Sequence, residues 1–308
     1  LVGADTPVLV GPTGVGKTAV ALALAEHWPL EAISADSRQV YRGLDIATAA
    51  PTRKERERVP HHLVGFLAPG ERYSAGRFAV EAAEALADIR GRGRTPVVVG
   101  GSGLYIRALT LGLFAEPPLD RPRREALAHF TATLDHAELV RWAHRLDPTM
   151  PPGGGRQRAA RAIEIALLTG QSLGWWQRAA EAQGVLTPWT VRLTVPRAVL
   201  HQRINARAAE MVRRGLVEEV VAALADGAPL EGPGMDGIGV RQAVDVLQGR
   251  LAREELVATI ATATRQYAKR QETWFRHQTV GPVLVLDATR PPDQLAAEIA
   301  AARKEHLA

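Results

Sequence analysis

Over the first third of the chain, short and wholly apolar runs alternate with longer segments of helical period. "TPVLV" (6–10), "EAISA" (31–35) and "TPVVVGG" (95–101) are too short and too uniformly apolar for surface helices, and they read as buried strands. Residues 17–27 and "AGRFAVEAAEALADIRGRG" (75–93) repeat apolar side chains at helical spacing, the second closing on glycines. "GLYIRALTLG" (103–112) reads as the helix after the third strand. This alternation predicts an α/β fold with a parallel sheet.

The pattern changes near Glu116. "AEPPLDRPRR" (115–124) is a proline-rich boundary, and the residues after it carry helical periods at 121–134, 135–146, 156–170 and 172–182. "DPTMPPGGG" (147–155) interrupts them, and no strand pattern occurs. A strand returns at "WTVRLTV" (189–195), followed by a long helix through "HQRINARAAEMVRRG" (201–215). "GPVLVLDA" (281–288) reads as a late strand, residues 256–277 and 291–307 as helices. The expected layout is a core in two parts, 1–115 and 189–308, with a helical insertion at 116–188 between them.

Composition narrows the function classes. The 308 residues are 46% apolar, enough for a substantial core, and no apolar run approaches the ~18 residues that cross a bilayer. The opening "LVGADTPVLV" lacks the basic start of a secretion signal, and there are no cysteines, which excludes disulfides and thiolate metal sites. A cytoplasmic, monomeric protein without membrane contact is expected. The formal charge of +5 hints at a polyanionic partner, although 34 of the 38 basic residues are arginine, a bias that genome composition also produces. The four lysines are Lys17, Lys54, Lys269 and Lys304. One falls in a glycine loop and another in "AKRQETWFR" (268–276).

That glycine loop is "GPTGVGKT" (Gly11, Pro12, Thr13, Gly14, Val15, Gly16, Lys17, Thr18), between the first strand and its helix. The spacing is that of a Walker A loop, whose backbone N–H groups and following helix converge on phosphate oxygens. Lys17 would add a point charge and the Thr18 hydroxyl a ligand for Mg²⁺. An ordinary P-loop ATPase also needs an acid after an apolar strand, and the third strand ends "VVVGGSG" with none. The first carboxylate after a strand is Asp36, which can hold metal, cap a turn or accept a proton.

These residues resemble one family. "GPTGVGKT", "ISADSRQVYRGLDIATAAPT" (33–52), "TPVVVGGSGLYIRAL", "RQRAARAIE" (156–164), "RINARAAEMVRRGLVEEV" (203–220) and "TATRQYAKRQETWFR" (262–276) occur in the order found in the tRNA dimethylallyltransferases. The resemblance implies a P-loop kinase-like core with a helical insertion. It implies that the loop holds dimethylallyl diphosphate, whose prenyl group moves to N6 of the adenosine 3′ of the anticodon in a tRNA anticodon stem-loop. Asp36 would then be the base, and Lys17 and Arg207, with Arg203 beside it, would stabilise the leaving diphosphate. Asp36, Ser37, Arg38, Gln39 and Ser102 would contact the target region, and Gln157, Arg158 and Arg161 the anticodon loop. Arg265, Lys269 and Arg276 share a face that can follow phosphates or merely be solvated.

The chain departs from the family pattern at Ala47 (for glycine), Ala50 (for lysine), Gly65 (for aspartate) and Gly155 (for "ND"). These changes bear on RNA grip and loop geometry more than on the chemical step. Two other readings stand at this level: a P-loop small-molecule or nucleotide kinase, and a tRNA-binding homologue with weakened catalysis. His61 and His62, adjacent in an extended run, point to opposite faces and suit hydrogen bonding better than metal binding. Trp175 and Trp176 can stack on bases, but packing of at least one into the helical unit is expected.

Overall fold

The computed structural model describes residues 2–113, 119–150, 155–179 and 184–307. Its first stretch runs β1 (Val2–Val10), α1 (Lys17–Leu24), β2 (Leu30–Ala35), the short helices α2 (Asp45–Thr48) and α3 (Arg53–Arg58), and β3 (His61–His62). Then come α4 (Ala75–Gly91), β4 (Thr95–Gly100) and α5 (Gly103–Thr110). Four helices follow: α6 (Arg121–Thr133), α7 (His136–Leu146), α8 (Arg156–Thr169) and α9 (Leu173–Ala179). The chain returns through β5 (Leu186–Thr194), α10 (Arg197–Arg213), α11 (Leu216–Ala225) and α12 (Val240–Leu247). It closes with α13 (Leu256–Gln278), β6 (Val283–Asp287) and α14 (Pro292–Leu307).

The six strands form one parallel sheet in the order β3-β2-β4-β1-β5-β6, the expected α/β architecture. From β1 the chain turns to β2, fills the gap with β4, and crosses to β5 on the other side. The order therefore reverses around β1, and a crevice opens at its carboxyl end. There β2 and β4 run close. Ala35 pairs with Gly100, and a Cβ on Gly100 would collide with the Ala35 carbonyl.

Two apolar cores flank this crevice. One joins Leu9, Val97, Trp189, Val191 and Leu286 of the sheet to Val20 and Leu24 of α1 and Leu295 and Ile299 of α14. The other packs Leu200 and Ile204 of α10 with Leu216 and Val220 of α11, Val240 of α12 and Ile260 of α13, over Val40 and Leu44. On the far edge Glu31, only 2% exposed, receives Arg92, Arg94 and His62. That gathers the starts of β2 and β4 and the short β3.

The chain forms two compact units: residues 1–110 together with 184–308 and, separately, residues 111–183. Within the second unit, Asp120 and Asp135 cap α6 and α7, and Leu139, Ala143, Ala159, Ala162 and Ile163 form the core. Residues 115–118 of the proline-rich boundary, 151–154 of the glycine-rich break and the end of the helix expected to reach 182 lie outside the described residues. Helix α1 ends earlier than the periodicity predicts, at Leu24, because Glu26 and His27 donate to the carbonyls three residues back, of Ala23 and Leu24, which tightens the last turn, and Pro29 cannot continue the ladder.

Candidate active site

The phosphate loop sits at the carboxyl end of β1, and α1 starts inside it. Gly14 and Gly16 have φ of 82° and 111°, which a side chain would strain. Lys17 folds back so that Nζ donates to the carbonyls of Gly11 (2.8 Å) and Pro12 (3.0 Å). Helix α10 secures the loop from outside. Arg203 donates through its two terminal nitrogens to Val15 O and Ala288 O, both at 2.9 Å, so its guanidinium braces the loop and the turn after β6.

A second brace comes from α13. Gln271, 6% exposed, accepts a hydrogen bond from Thr13 N at 2.8 Å and donates Nε2–H to Gly101 O at 2.8 Å. One amide thus joins the loop after β1 to the turn after β4, where a P-loop ATPase would carry an acid. A Cβ on Gly101 would strike Gln271, and one on Gly103 would strike the Trp274 ring. The "RQETWFR" run is therefore largely architectural: Gln271 bridges, Trp274 covers Gly103, and Phe275 is fully buried.

Asp36 follows β2, with Oδ1 accepting from Arg38 N at 2.9 Å. Ser37 N donates to Ser102 Oγ (2.9 Å), and that hydroxyl donates to Ser37 Oγ (3.3 Å). The Arg38 guanidinium is held by Pro233 O (2.9 Å) and Asp236. The Gln39 amide accepts from Ser34 Oγ (2.9 Å) and donates to Ala49 O (3.2 Å). Beside Asp36, then, Ser37 and Ser102 bond to each other, while the Arg38 and Gln39 side chains are tied separately to Pro233 and Asp236 and to Ser34 and Ala49, where they hold the loop's own shape.

Two cavities meet here. The first, about 520 Å³, is floored by the phosphate loop and walled by Asp36, Arg203, Arg207, Gln271 and Arg290. The second, about 410 Å³, is walled by apolar Ile204, Met211, Val240 and Ile260 and by polar Ser37 and Tyr267. Thr13, Asp36 and Arg207 line both, so the carboxylate and the guanidinium stand at the opening between them.

The charges there are coupled. Burial lowers the Lys17 pKa to about 8; Asp36 opposes that shift and Arg207 adds to it. Burial also lowers the Arg207 pKa, with Asp36 holding the charge in place. Burial raises the Tyr267 pKa, and Asp36 raises it further, so the phenol stays neutral.

A family model described as IPP transferase matches residues 39–278, and one described as isopentenyl transferase matches residues 5–62. A tRNA dimethylallyltransferase from Koribacter versatilis is 44% identical, over 88% of this chain and 89% of the relative. One from Halorhodospira halophila is 43% identical over 95% and 96%. The chain belongs to the tRNA dimethylallyltransferase family.

Solved members share its fold. The full-length tRNA isopentenylpyrophosphate transferase from Bacillus halodurans superposes with a TM-score of 0.72 at 34% identity, covering 99% of this chain and 98% of that one. A eukaryotic dimethylallyltransferase studied acting on tRNA gives 0.77 at 27% identity, over 98% and 78%. The tRNA dimethylallyltransferase fold is a P-loop kinase-like core, as the motifs implied.

Three of the departures from the family pattern can be placed locally. Ala47 is buried and donates its N–H to Glu219, and Gly65 has φ of 65°, a conformation that suits glycine. Gly155 leaves α8 without a side-chain N-cap. Within the helical unit, Gln157, Arg158 and Arg161 lie on the first turns of α8, where Glu164 pairs with Arg161 (2.7 Å) and Arg124 (2.6 Å). Trp176 donates Nε1–H to Thr169 (2.9 Å), whereas Trp175 is 41% exposed. On α13, Lys269 and Arg276 are exposed and Arg265 donates to Asn205 (2.7 Å).

Gln271, Tyr267 and Glu219 do not stand out as site residues in the sequence. Gln271 has a readable signal, a polar residue in the stripe Ile260, Ala268, Phe275 that otherwise buries apolar side chains. Tyr267 and Glu219 carry none, because their partners lie on other elements.

Proposed function

We propose that the protein transfers a dimethylallyl group from dimethylallyl diphosphate to N6 of the adenosine 3′ of the anticodon in tRNA, releasing diphosphate. The observation that supports this best is that Asp36 and Arg207 line both cavities, one lined by the phosphate loop and the other partly apolar. A diphosphate fits the loop's N–H groups and Lys17, its C5 tail fits beside Ile204 and Met211, and an adenine turned out of its stack enters from the second cavity.

The atoms balance simply. The N6 lone pair attacks C1 of the prenyl group as the C1–O bond breaks, and the bond's electrons leave on the diphosphate oxygen. Asp36 takes the N6 proton, relieving a nitrogen whose lone pair is delocalised into the ring; such a base is worth roughly 10²–10⁴-fold. Lys17, Arg207 and the loop amides stabilise the developing negative charge. Among the described residues there is no cluster of three imidazole or carboxylate groups able to hold a metal. The Thr18 hydroxyl at the start of α1 would help hold a hard cation such as Mg²⁺ beside the donor, and when bound the cation would offset the leaving charge. None of the described helices is long and apolar enough to cross a membrane. The arginines of α8 and the exposed face of α13 would follow the RNA backbone.

Incubation with Mg²⁺, dimethylallyl diphosphate and an unmodified anticodon stem-loop, followed by nuclease digestion and mass spectrometry, tests the reading. A prenyl mass on the adenosine 3′ of the anticodon is expected. No product from RNA that the protein binds would overturn it in favour of a binding-only role, and phosphoryl transfer from ATP to a small acceptor would favour the kinase.

A further inference from the structure

The phosphate-loop cavity has a fourth cationic side chain that the mechanism above leaves unused. Arg290 lies in the turn between β6 and α14 and lines the cavity with Lys17 and Thr18. The turn is held at its base. Ala288 N donates to Thr194 O (2.8 Å), Thr289 N donates to Asp287 Oδ1 (2.9 Å), and Ala288 O accepts from Arg203. Those bonds fix the backbone and leave the side chain free to reorient. At rest its guanidinium pairs with Glu298 of α14 at 2.7 Å, the two side chains being 39% and 41% exposed. A pair so open to solvent is weakly held.

The other cations of the cavity are differently committed. Lys17 and Arg203 donate to backbone carbonyls, and Arg207 stands at the opening toward the second cavity. In the donor reading above, the ester oxygen of the diphosphate would lie near Arg207 and the terminal phosphate farther from the reacting carbon. Arg290 is the cation able to exchange a carboxylate partner for that terminal phosphate, with the same planar, two-pronged geometry.

We propose that Arg290 is a ligand of the donor's terminal phosphate, and that Glu298 competes with the phosphate for it, holding the side chain in the empty site and recovering it when diphosphate leaves. This rests on the donor reading given above. It makes the pair a determinant of product release as well as of donor binding, and it predicts opposite effects for its two members. Losing Arg290 removes a ligand; losing the Glu298 charge removes the competitor.

The test is calorimetric titration of the full chain with inorganic diphosphate and Mg²⁺, using the wild type, Arg290→Gln, Glu298→Gln and Lys17→Ala. Arg290→Gln should weaken diphosphate at least tenfold, and Glu298→Gln should tighten it at least threefold, with thermal midpoints and stem-loop affinity near wild type. Unchanged affinity in both variants, or a shift in the same direction in both, overturns the proposal. If Lys17→Ala weakens binding while Arg290→Gln does not, only the Arg290 assignment falls. A wild type that does not bind diphosphate overturns this proposal together with the donor reading.

Discussion

Lys17 illustrates how a residue's environment sets its chemistry. Its Nζ rests on two loop carbonyls, buried enough to bring its pKa to about 8, so in the empty site it begins to lose its proton just above neutrality. A bound diphosphate favours the charged form. The sign follows: below pH 8 the lysine is already protonated and donor binding is insensitive to pH at this group, whereas above it each binding event must take up a proton. Donor affinity should therefore fall toward about tenfold per pH unit on the alkaline side. Calorimetry in buffers of different ionisation enthalpy should show uptake approaching one proton at about pH 9. Pure buffer-independence there would contradict the assignment. Asp36 is legible from sequence because it is the first carboxylate after a buried strand, while the third strand ends in glycines with none. The restraint on Arg38 and Gln39 is not, since Asp236 lies about 200 residues from Arg38, and Ala49 meets Gln39 only through the fold of the intervening loop.

At the scale of elements, the site depends on close approach between chain segments. Gly100 has no room for a Cβ because β2 and β4 converge beside it, and the atoms it would meet are backbone, which cannot rotate away. Gly100→Ala should cost about 1–3 kcal/mol by overpacking, read as a lower thermal midpoint, and should misplace the Ser102–Ser37 hydrogen bond with it. A variant as stable as wild type would mean that the two strands are less tightly fixed than their register indicates. The strands themselves are readable from their apolar runs, and the long helices from their period. The helices α2, α11 and α12 carry no assignment from the sequence pattern. Helix α2 has four residues and no local cap: its Ile46 and Ala47 N–H groups are met by the Glu219 carboxylate, at 2.7 and 2.9 Å, from the first turn of α11. Such an element is specified by a distant partner, and periodicity has too few residues to register it.

Across the P-loop core, the sheet is tied at the end opposite the crevice by the Glu31 cluster. Hydrogen bonds from Arg92 lower the Glu31 pKa to about 2, with His62 adding to the effect against the cost of burial. An unfolded glutamate titrates near 4.5, so this group contributes its full stability above that value and loses it as the pH falls toward 2. Glu31→Gln should lower stability at neutral pH by about 3 kcal/mol, measured by urea unfolding, and its difference from wild type should shrink steadily below about pH 4.5. A constant difference across that range would show that the charge of Glu31 is not what holds the edge. The cluster also accounts for the histidine pair: His62 binds Glu31 Oε2 and His61 the Val59 carbonyl, each at 2.6 Å, which leaves neither pointing to a shared metal.

Prenyl transfer, as proposed, turns on Asp36 accepting the N6 proton at the opening between the two cavities. Asp36→Asn tests this most directly, because the amide oxygen can still accept from Arg38 N and preserve the turn while the basicity is removed. In single-turnover prenylation of an anticodon stem-loop, the expected rate is lower by roughly 10²-fold or more, with donor and RNA affinities changed only a few-fold. A rate within a few-fold of wild type would contradict that role and return Asp36 to a structural one.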